Sequence, residues 1–435
     1  MTIDEQAATS EVINIAPTTL PRSVRHRIFV YLGILITLLA FGAPHGGLIE
    51  IPMSFLLKNK LHLGSHELAE FRLMSAIPLY LSFVFGFIRD TYSPFGMGDR
   101  GFMLLFGSIS SILYVVFALT PISYVALLVA MVLLRTSFLF VSSAQNGLAS
   151  VLGQQHLMSG QVSAAWNIFA SLPAIAALLI GGALSDILEG ENADQAVRIL
   201  FLFGAGVMAS VAVYAAWRPR SVFDNIVTEQ GTAAQPLNDL KRLGKHWPIY
   251  PALVIWLLWS FAPGSGTPLQ YHLQNSLHAS DAQWGQWSAI FAASFIPTFM
   301  VFGVLCQRFP LKTLLWCGTV VAVPQLIPLL FISSVTGALI AAVPIGLMGG
   351  VATAAYMDLI IRSCPPGLQG TMLMLSASVS FVSVRFGDVL GTALYEKYGD
   401  FIVCVIAVTI AYVLILPMLL LVPKHLIATA DGQKA

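Results

Sequence analysis

Arg218-Pro-Arg-Ser-Val-Phe-Asp-Asn-Ile-Val-Thr-Glu-Gln-Gly-Thr-Ala-Ala-Gln-Pro-Leu-Asn-Asp-Leu-Lys-Arg-Leu-Gly-Lys-His-Trp247 holds most of the uninterrupted polar sequence in an otherwise apolar chain. About six apolar runs precede it and about six follow. Each run is roughly twenty residues long, the length at which an α-helix crosses the hydrocarbon core of a bilayer. The runs predict helices over 28–57, 67–88, 101–119, 122–151, 159–185 and 197–217, then 248–275, 283–306, 311–332, 335–362, 367–394 and 400–422. The expected fold is all-α and integral to the membrane, with twelve transmembrane helices in two pseudo-symmetric six-helix bundles.

Composition supports lipid as the solvent. Hydrophobic residues make up 57% of the chain and charged residues 10%, against about 25% charged in a soluble domain. The net charge of +1 carries no basic patch that would suggest nucleic acid. Cys306, Cys317, Cys364 and Cys404 lie in or beside apolar runs without metal-ligand spacing, so they read as small packed residues. Residues 1–20 lack the compact apolar segment of a signal peptide. Arg22, Arg25 and Arg27 then precede the first helix, which places the N-terminus in the cytoplasm. With twelve crossings the C-terminus follows it. This topology leaves Lys58, Lys60, Arg72, Arg198 and Lys397 outside and only Arg135 and Arg385 within the membrane. The remaining lysines and arginines are all cytoplasmic, a roughly threefold inside bias. The expected organisation is a cytoplasmic tail over 1–27, a bundle over 28–217, a cytoplasmic linker over 218–247, a second bundle over 248–422 and a tail over 423–435. The expected location is the plasma (cell inner) membrane.

The two halves are also related in sequence. Aligning Val141 with Val351 and holding the offset at 210 residues brings Gly160 onto Gly370, Gly181 onto Gly391, Ala183 onto Ala393, Leu184 onto Leu394 and Asp186 onto Glu396. Helices four and five thus correspond to ten and eleven. Parallel repeats of this kind occur in carriers whose halves rock about a central site.

The loop after the second helix reads Gly86-Phe-Ile-Arg-Asp90-Thr-Tyr-Ser-Pro94-Phe-Gly96-Met-Gly98-Asp99-Arg100. It resembles the cytoplasmic signature of the major facilitator superfamily, a glycine, an aspartate and then an arginine before the next helix. Gly86 permits close helix approach, and Asp90 with Arg100 would latch helix ends on the cytoplasmic side. The proline and glycines in this longer loop are similar to the folate–biopterin transporter family. So are Ser54-Phe-Leu-Leu-Lys-Asn-Lys-Leu-His-Leu63 with Ile77-Pro78, and Pro263 followed by Tyr271 to Leu277. Most specific is Cys364-Pro-Pro-Gly-Leu-Gln-Gly-Thr371, which resembles that family's run between helices ten and eleven. Two features depart from it. The family's glutamate is Gln369, and its acids on the fourth helix are replaced in Ser142-Ser-Ala-Gln-Asn146. The muropeptide permease family has a similar loop and stands as a competing resemblance.

A charge near the bilayer centre costs at least ~2.5 kcal/mol, so it faces a cavity or a partner. Arg135, midway along the fourth helix, would either grip a carboxylate or phosphate or pair with an acid on a neighbouring helix. Arg385 and Asp388 share a face of helix eleven, where they can pair or relay charge. In helix one, Pro44-His45-Gly46-Gly47 breaks the backbone ladder, and His45 and Glu50 are titratable there. Asp358 and Arg362 read as an i,i+4 pair. Candidate substrate ligands are Arg135, His45, Gln145, Asn146, Asn167, Gln270 and Tyr271; candidate proton-coupling groups are Glu50, Asp388 and Arg385; the latch is Gly86, Asp90 and Arg100.

These readings point to a monomeric secondary carrier, without a cofactor or metal, of a small organic and anionic solute coupled to protons. The folate–biopterin resemblance implies a pterin or folate-like ring. No G-x-x-x-x-G-K-[ST] run is present to couple ATP. The other readings are a muropeptide-type permease, a transporter-like receptor or assembly factor, and an integral-membrane enzyme; H-E-x-x-H and G-x-S-x-G are both missing from the sequence.

Overall fold

The computed structural model describes residues 20–63, 65–188, 193–223 and 236–433. The regular elements among the described residues are all helices, without a strand. The first half holds α1 (Arg22–Gly42, resuming as Gly47–Phe55) and α2 (Ser65–Ser75, Ile77–Tyr80 and Ser82–Thr91). It continues with α3 (Asp99–Leu119), α4 (Tyr124–Gln155), α5 (Ser159–Leu188) and α6 (Ala193–Ala216). The second half holds α7 (Ile249–Ser260, then Thr267–Tyr271), α8 (Asp281–Leu305) and α9 (Leu311–Ala322, with a tighter turn over Ile327–Phe331). It ends with α10 (Val335–Ser363), α11 (Gln369–Tyr398) and α12 (Phe401–Val413 and Ile415–Leu421). Short helices Arg220–Phe223 and Pro236–Lys245 lie between the halves, and Lys424–Ile427 follows the last span. Among the described residues, nine helices are long and apolar enough to cross a bilayer on their own; α2 and α7 are divided into shorter pieces.

Serine hydroxyls start α4 and α10 alike: Ser123 accepts from the Ala126 amide and Ser334 from the Gly337 amide. These caps satisfy donors that a helix start leaves free. Large apolar side chains such as Leu119, Val213, Phe331 and Leu420 are 70% exposed or more, as expected where lipid surrounds the bundle.

The packing between the halves repeats. α2 lies on α11, and α5 lies on α8. Since α2 corresponds to α8 and α5 to α11, these are two versions of one contact. Among the described residues, hydrogen bonds between the halves run from the helix middles to the face that carries the chain termini. Phe83 donates its amide to Ser378 Oγ at 3.1 Å midway, and Gln154 Nε2 donates to the carbonyls of Ile361 (2.7 Å) and Cys364 (2.8 Å) at the end. The molecule is closed on the termini face.

Two helices, α1 and α7, are broken along their length. In α1 the ladder stops at Ala43–Gly46, as the proline and glycines predict. α7 also breaks, between Ser260 and Thr267, whereas the sequence predicts one helix over 248–275. Pro268 in the first turn of the second piece has no amide to donate backwards. Both broken helices end in a π-helical turn, Leu56–Lys60 and His272–Ser276.

Candidate functional site

Polar groups gather about the break of α1, on α1, α2 and α4, with α11 alongside. Arg135 of α4 is 3% exposed. Its Nη1 donates to Ser75 Oγ at 2.8 Å. Its Nε is buried without a hydrogen-bond partner among the described residues. Glu50 and, from the other half, Arg385 are the charged groups whose field acts on it.

His45 occupies the break of α1, where an irregular backbone turns the ring inward. Its Nδ1 is likewise buried without a hydrogen-bond partner among the described residues. The ring stands edge-on to Phe138 of α4 at 5.4 Å and to Phe381 of α11 at 5.8 Å. It also lies within the field of Arg135. A buried polar group left unpaired costs about 1–3 kcal/mol, so the Nε donor of Arg135 and the Nδ1 of His45 are both available to bond something else. That something accepts hydrogen bonds from a guanidinium, as an anion does.

Asn146 lies eleven residues further along α4, about 16 Å by the helical rise. Its Oδ1 accepts from Trp166 Nε1 at 3.2 Å, and its Nδ2 donates to Ser142 Oγ (3.4 Å) and Met374 Sδ (3.6 Å). Gln145 beside it has a buried Nε2 without a partner. Asn167 donates to the Ser163 carbonyl one turn back at 2.8 Å, a bond within its own helix. These amides form a second polar level nearer the termini face. Gln270 and Tyr271 do not join either level through any side-chain bond among the described residues, and Tyr271 is 45% exposed.

Asp388 departs from its expected partner. Its carboxylate accepts from the Thr267 amide (2.8 Å) and the Thr267 hydroxyl (2.9 Å), capping the second piece of α7. Arg385, exposed, forms no ion pair with it among the described residues. The cap prevails because the break leaves helix-start amides that need an acceptor.

The latch also takes partners that the sequence does not foretell. Asp90 Oδ1 accepts from the Gly370 amide at 3.1 Å, and Oδ2 accepts from the amide and hydroxyl of Thr371, both at 2.6 Å. It thereby caps α11 in the opposite half. The arginine paired with it is Arg89, at 2.5 Å, which also grips Asp99 with two bonds of 2.5 Å. Arg100 instead donates to the carbonyls of Ala215 (3.0 Å) and Ala216 (2.8 Å), the C-terminal end of α6. Gly86 packs against the Gly370 carbonyl, where a side chain would not fit. Asp358 and Arg362 do pair, at 2.9 Å, and Asp431 joins them at 2.9 Å. Ser75, Phe381 and Arg89 belong to these sites without having been singled out; only Arg89, inside the signature loop, carried a signal. A peripheral recess of about 330 Å³ beside Lys60 and Arg198 touches none of these groups.

A sequence model described as Major Facilitator Superfamily matches residues 158–387 and 264–435. No curated relative matches the chain in sequence. Solved structures with a similar fold include the human organic anion transporter MFSD10 (TETRAN). It has 15% identity and a TM-score of 0.67, over 92% of this chain and 100% of that one. A bacterial homologue of the iron transporter ferroportin in an outward-facing state has 16% identity and a TM-score of 0.68, over 91% and 98%. The transporter FucP in the outward conformation has 13% identity and a TM-score of 0.63, over 91% and 98%.

Proposed function

Because this chain belongs to the Major Facilitator Superfamily, we propose that it is a secondary transporter that moves a small organic anion across the membrane by alternating access, coupled to protons. The observation that carries this reading is Arg135, a guanidinium 3% exposed at mid-helix with its Nε unpaired. The anion bridges Arg135 and Arg385 from opposite halves, so binding draws the halves together. His45, with Phe138 and Phe381 on its flanks, receives the flat part of the solute. That arrangement suits the pterin or folate-like ring of the folate–biopterin resemblance. Gln145, Asn146 and Asn167 meet the solute as it leaves toward the termini face.

Glu50 is the proton carrier in this reading, because its charge acts on the guanidinium that the solute also needs. Asp388 and Arg385 answer to the same exchange of charge. The Arg-rich start of α1 supports a cytoplasmic termini face, so the closed face is cytoplasmic and the state outward-facing. The bundles 28–217 and 248–422 rock as two bodies, with 218–247 as their cytoplasmic linker, in a monomer of the plasma membrane.

The test is a thermal-shift screen of purified protein against folate, biopterin, dicarboxylates and amino-sugar peptides. A ligand that binds only the folded state raises the melting temperature by mass action. A carboxylate should stabilise the wild type and leave Arg135→Ala unmoved. Equal stabilisation of both by the same carboxylate rules out the anion role of Arg135, and stabilisation by the peptide alone favours a muropeptide-type permease.

A further inference from the structure

The second repeat lacks the acid that the first one uses. In the first, Asp90 at the end of α2 caps Gly370 and Thr371, the first turn of α11. The repeat offset carries these two residues onto Gly160 and Gln161, the first turn of α5, and it carries α2 onto α8. The offset carries Asp90 onto Met300, and from there to Pro310, past the end of α8, the sequence holds no carboxylate.

Asp431 stands in that place. It comes from the segment after the last transmembrane helix and is 7% exposed. Its Oδ1 accepts from the Gly160 amide (3.3 Å), and its Oδ2 accepts from the Gln161 amide (2.9 Å). Its own amide donates to the Cys306 carbonyl at 2.9 Å, fixing it at the end of α8. The likeness extends to the cation. Arg89 holds Asp90 and Asp99 together; Arg362 holds Asp431 and Asp358. It extends to the glycines too. A Cβ on Gly370 would meet Arg89 and Asp90, and one on Gly160 would meet Cys306 and Asp358. The segment is tied down on both sides. Gly432 donates its amide to the Leu157 carbonyl at 2.7 Å, in the first half. Arg362 Nη1 donates to the carbonyls of Leu426 (3.2 Å) and Thr429 (3.0 Å), in the second.

We infer that residues 424–433 are a second latch, in which the C-terminal segment lends the second repeat its missing carboxylate and holds the termini face closed until it leaves. A carboxylate at a helix start satisfies orphan amides and opposes the positive end of the helix dipole. Both latches span the same seam between the halves, so opening one strains the other. The inference rests on the alternating-access reading, in which that face must open.

The experiment is hydrogen–deuterium exchange on the full-length chain in nanodiscs, comparing wild type with Asp431→Lys and the milder Asp431→Ala. In both variants exchange should rise at least tenfold over 157–161 and also over 366–374, the remote latch, while α3 keeps its protection and certifies the fold. A rise confined to 155–162 and 424–433, or no rise at all, overturns the inference, because the segment would then be a local cap. The measurement needs no solute. Flux in proteoliposomes with unchanged exchange over 366–374 refutes the latch alone; coupled exchange without flux refutes the transport reading alone.

Discussion

Arg135 was legible because a guanidinium inside an apolar run is costly enough to require a reason. Its neighbours were not, because Ser75, Phe138 and Phe381 are ordinary residues that acquire meaning only by converging. At this site a lysine keeps the charge but loses the planar fork. Losing one partner of a buried charged pair costs about 2–5 kcal/mol, so Arg135→Ala should weaken carboxylate binding by about thirty-fold or more. Arg135→Lys should fall between it and wild type; calorimetric titration with the carboxylate found in the screen measures both. Asp431 was invisible for a different reason: its partner Gly160 lies 271 residues away. Burial, and then the neighbouring Asp358 carboxylate, push the Asp431 carboxyl up to about 6, against Arg362 and the amides of Gln161 and Gly160. The thiol of Cys306 is the other titratable group in contact. A free aspartate titrates near ~3.9, so docking takes up a proton as pH falls. The added docking stability is fully present below about 3.9 and is lost as pH rises through about 6. Protection of residues 424–433, corrected for intrinsic exchange, should therefore be higher at pH 5 than at pH 7.5. Protection that falls on acidification contradicts this.

At the scale of the element, the twelve helices could be read from hydropathy, and the break in α1 from Pro44-His45-Gly46-Gly47. The break in α7 could not, although Pro263-Gly264-Ser265-Gly266 lies inside it. The apolar run continues across that break, and lipid on one side with packed helices on the other removes the polarity that marks a loop in water. What makes the break tolerable is Asp388, a cap supplied from 121 residues away. Replacing a capping acid by alanine costs about 0.5–2 kcal/mol. Asp388→Ala should accordingly raise amide exchange over 267–271, while Asp388→Asn, which keeps an acceptor oxygen, should raise it less. If the two variants exchange alike at the wild-type rate, the carboxylate is not the cap, and a charge relay with Arg385 regains weight.

Across the whole chain, the offset of 210 residues pairs Gly160 with Gly370, and each is a point where one half touches the other. The signature loop gave the place of the first latch but misassigned its arginine, since Arg89 and Arg100 both follow a glycine and only packing separates them. A Cβ on Gly370 would sit 2.8 Å from both Arg89 Cδ and Asp90 Oδ1. Gly370→Leu should therefore hold the termini face apart. Spin labels placed at the exposed Phe95 and Arg308 should report a longer distance than in the parent, and an unchanged distribution would count against that seam as the closing surface. If the two halves carry an organic anion past Arg135, uptake into proteoliposomes under an imposed pH gradient will show it, with radiolabelled folate and a panel of small carboxylates, in wild type and Arg135→Ala. Gradient-dependent accumulation of a carboxylate is expected in wild type and should collapse in the variant. Accumulation no greater than in protein-free liposomes across the panel, or equal uptake by the two proteins, would contradict it.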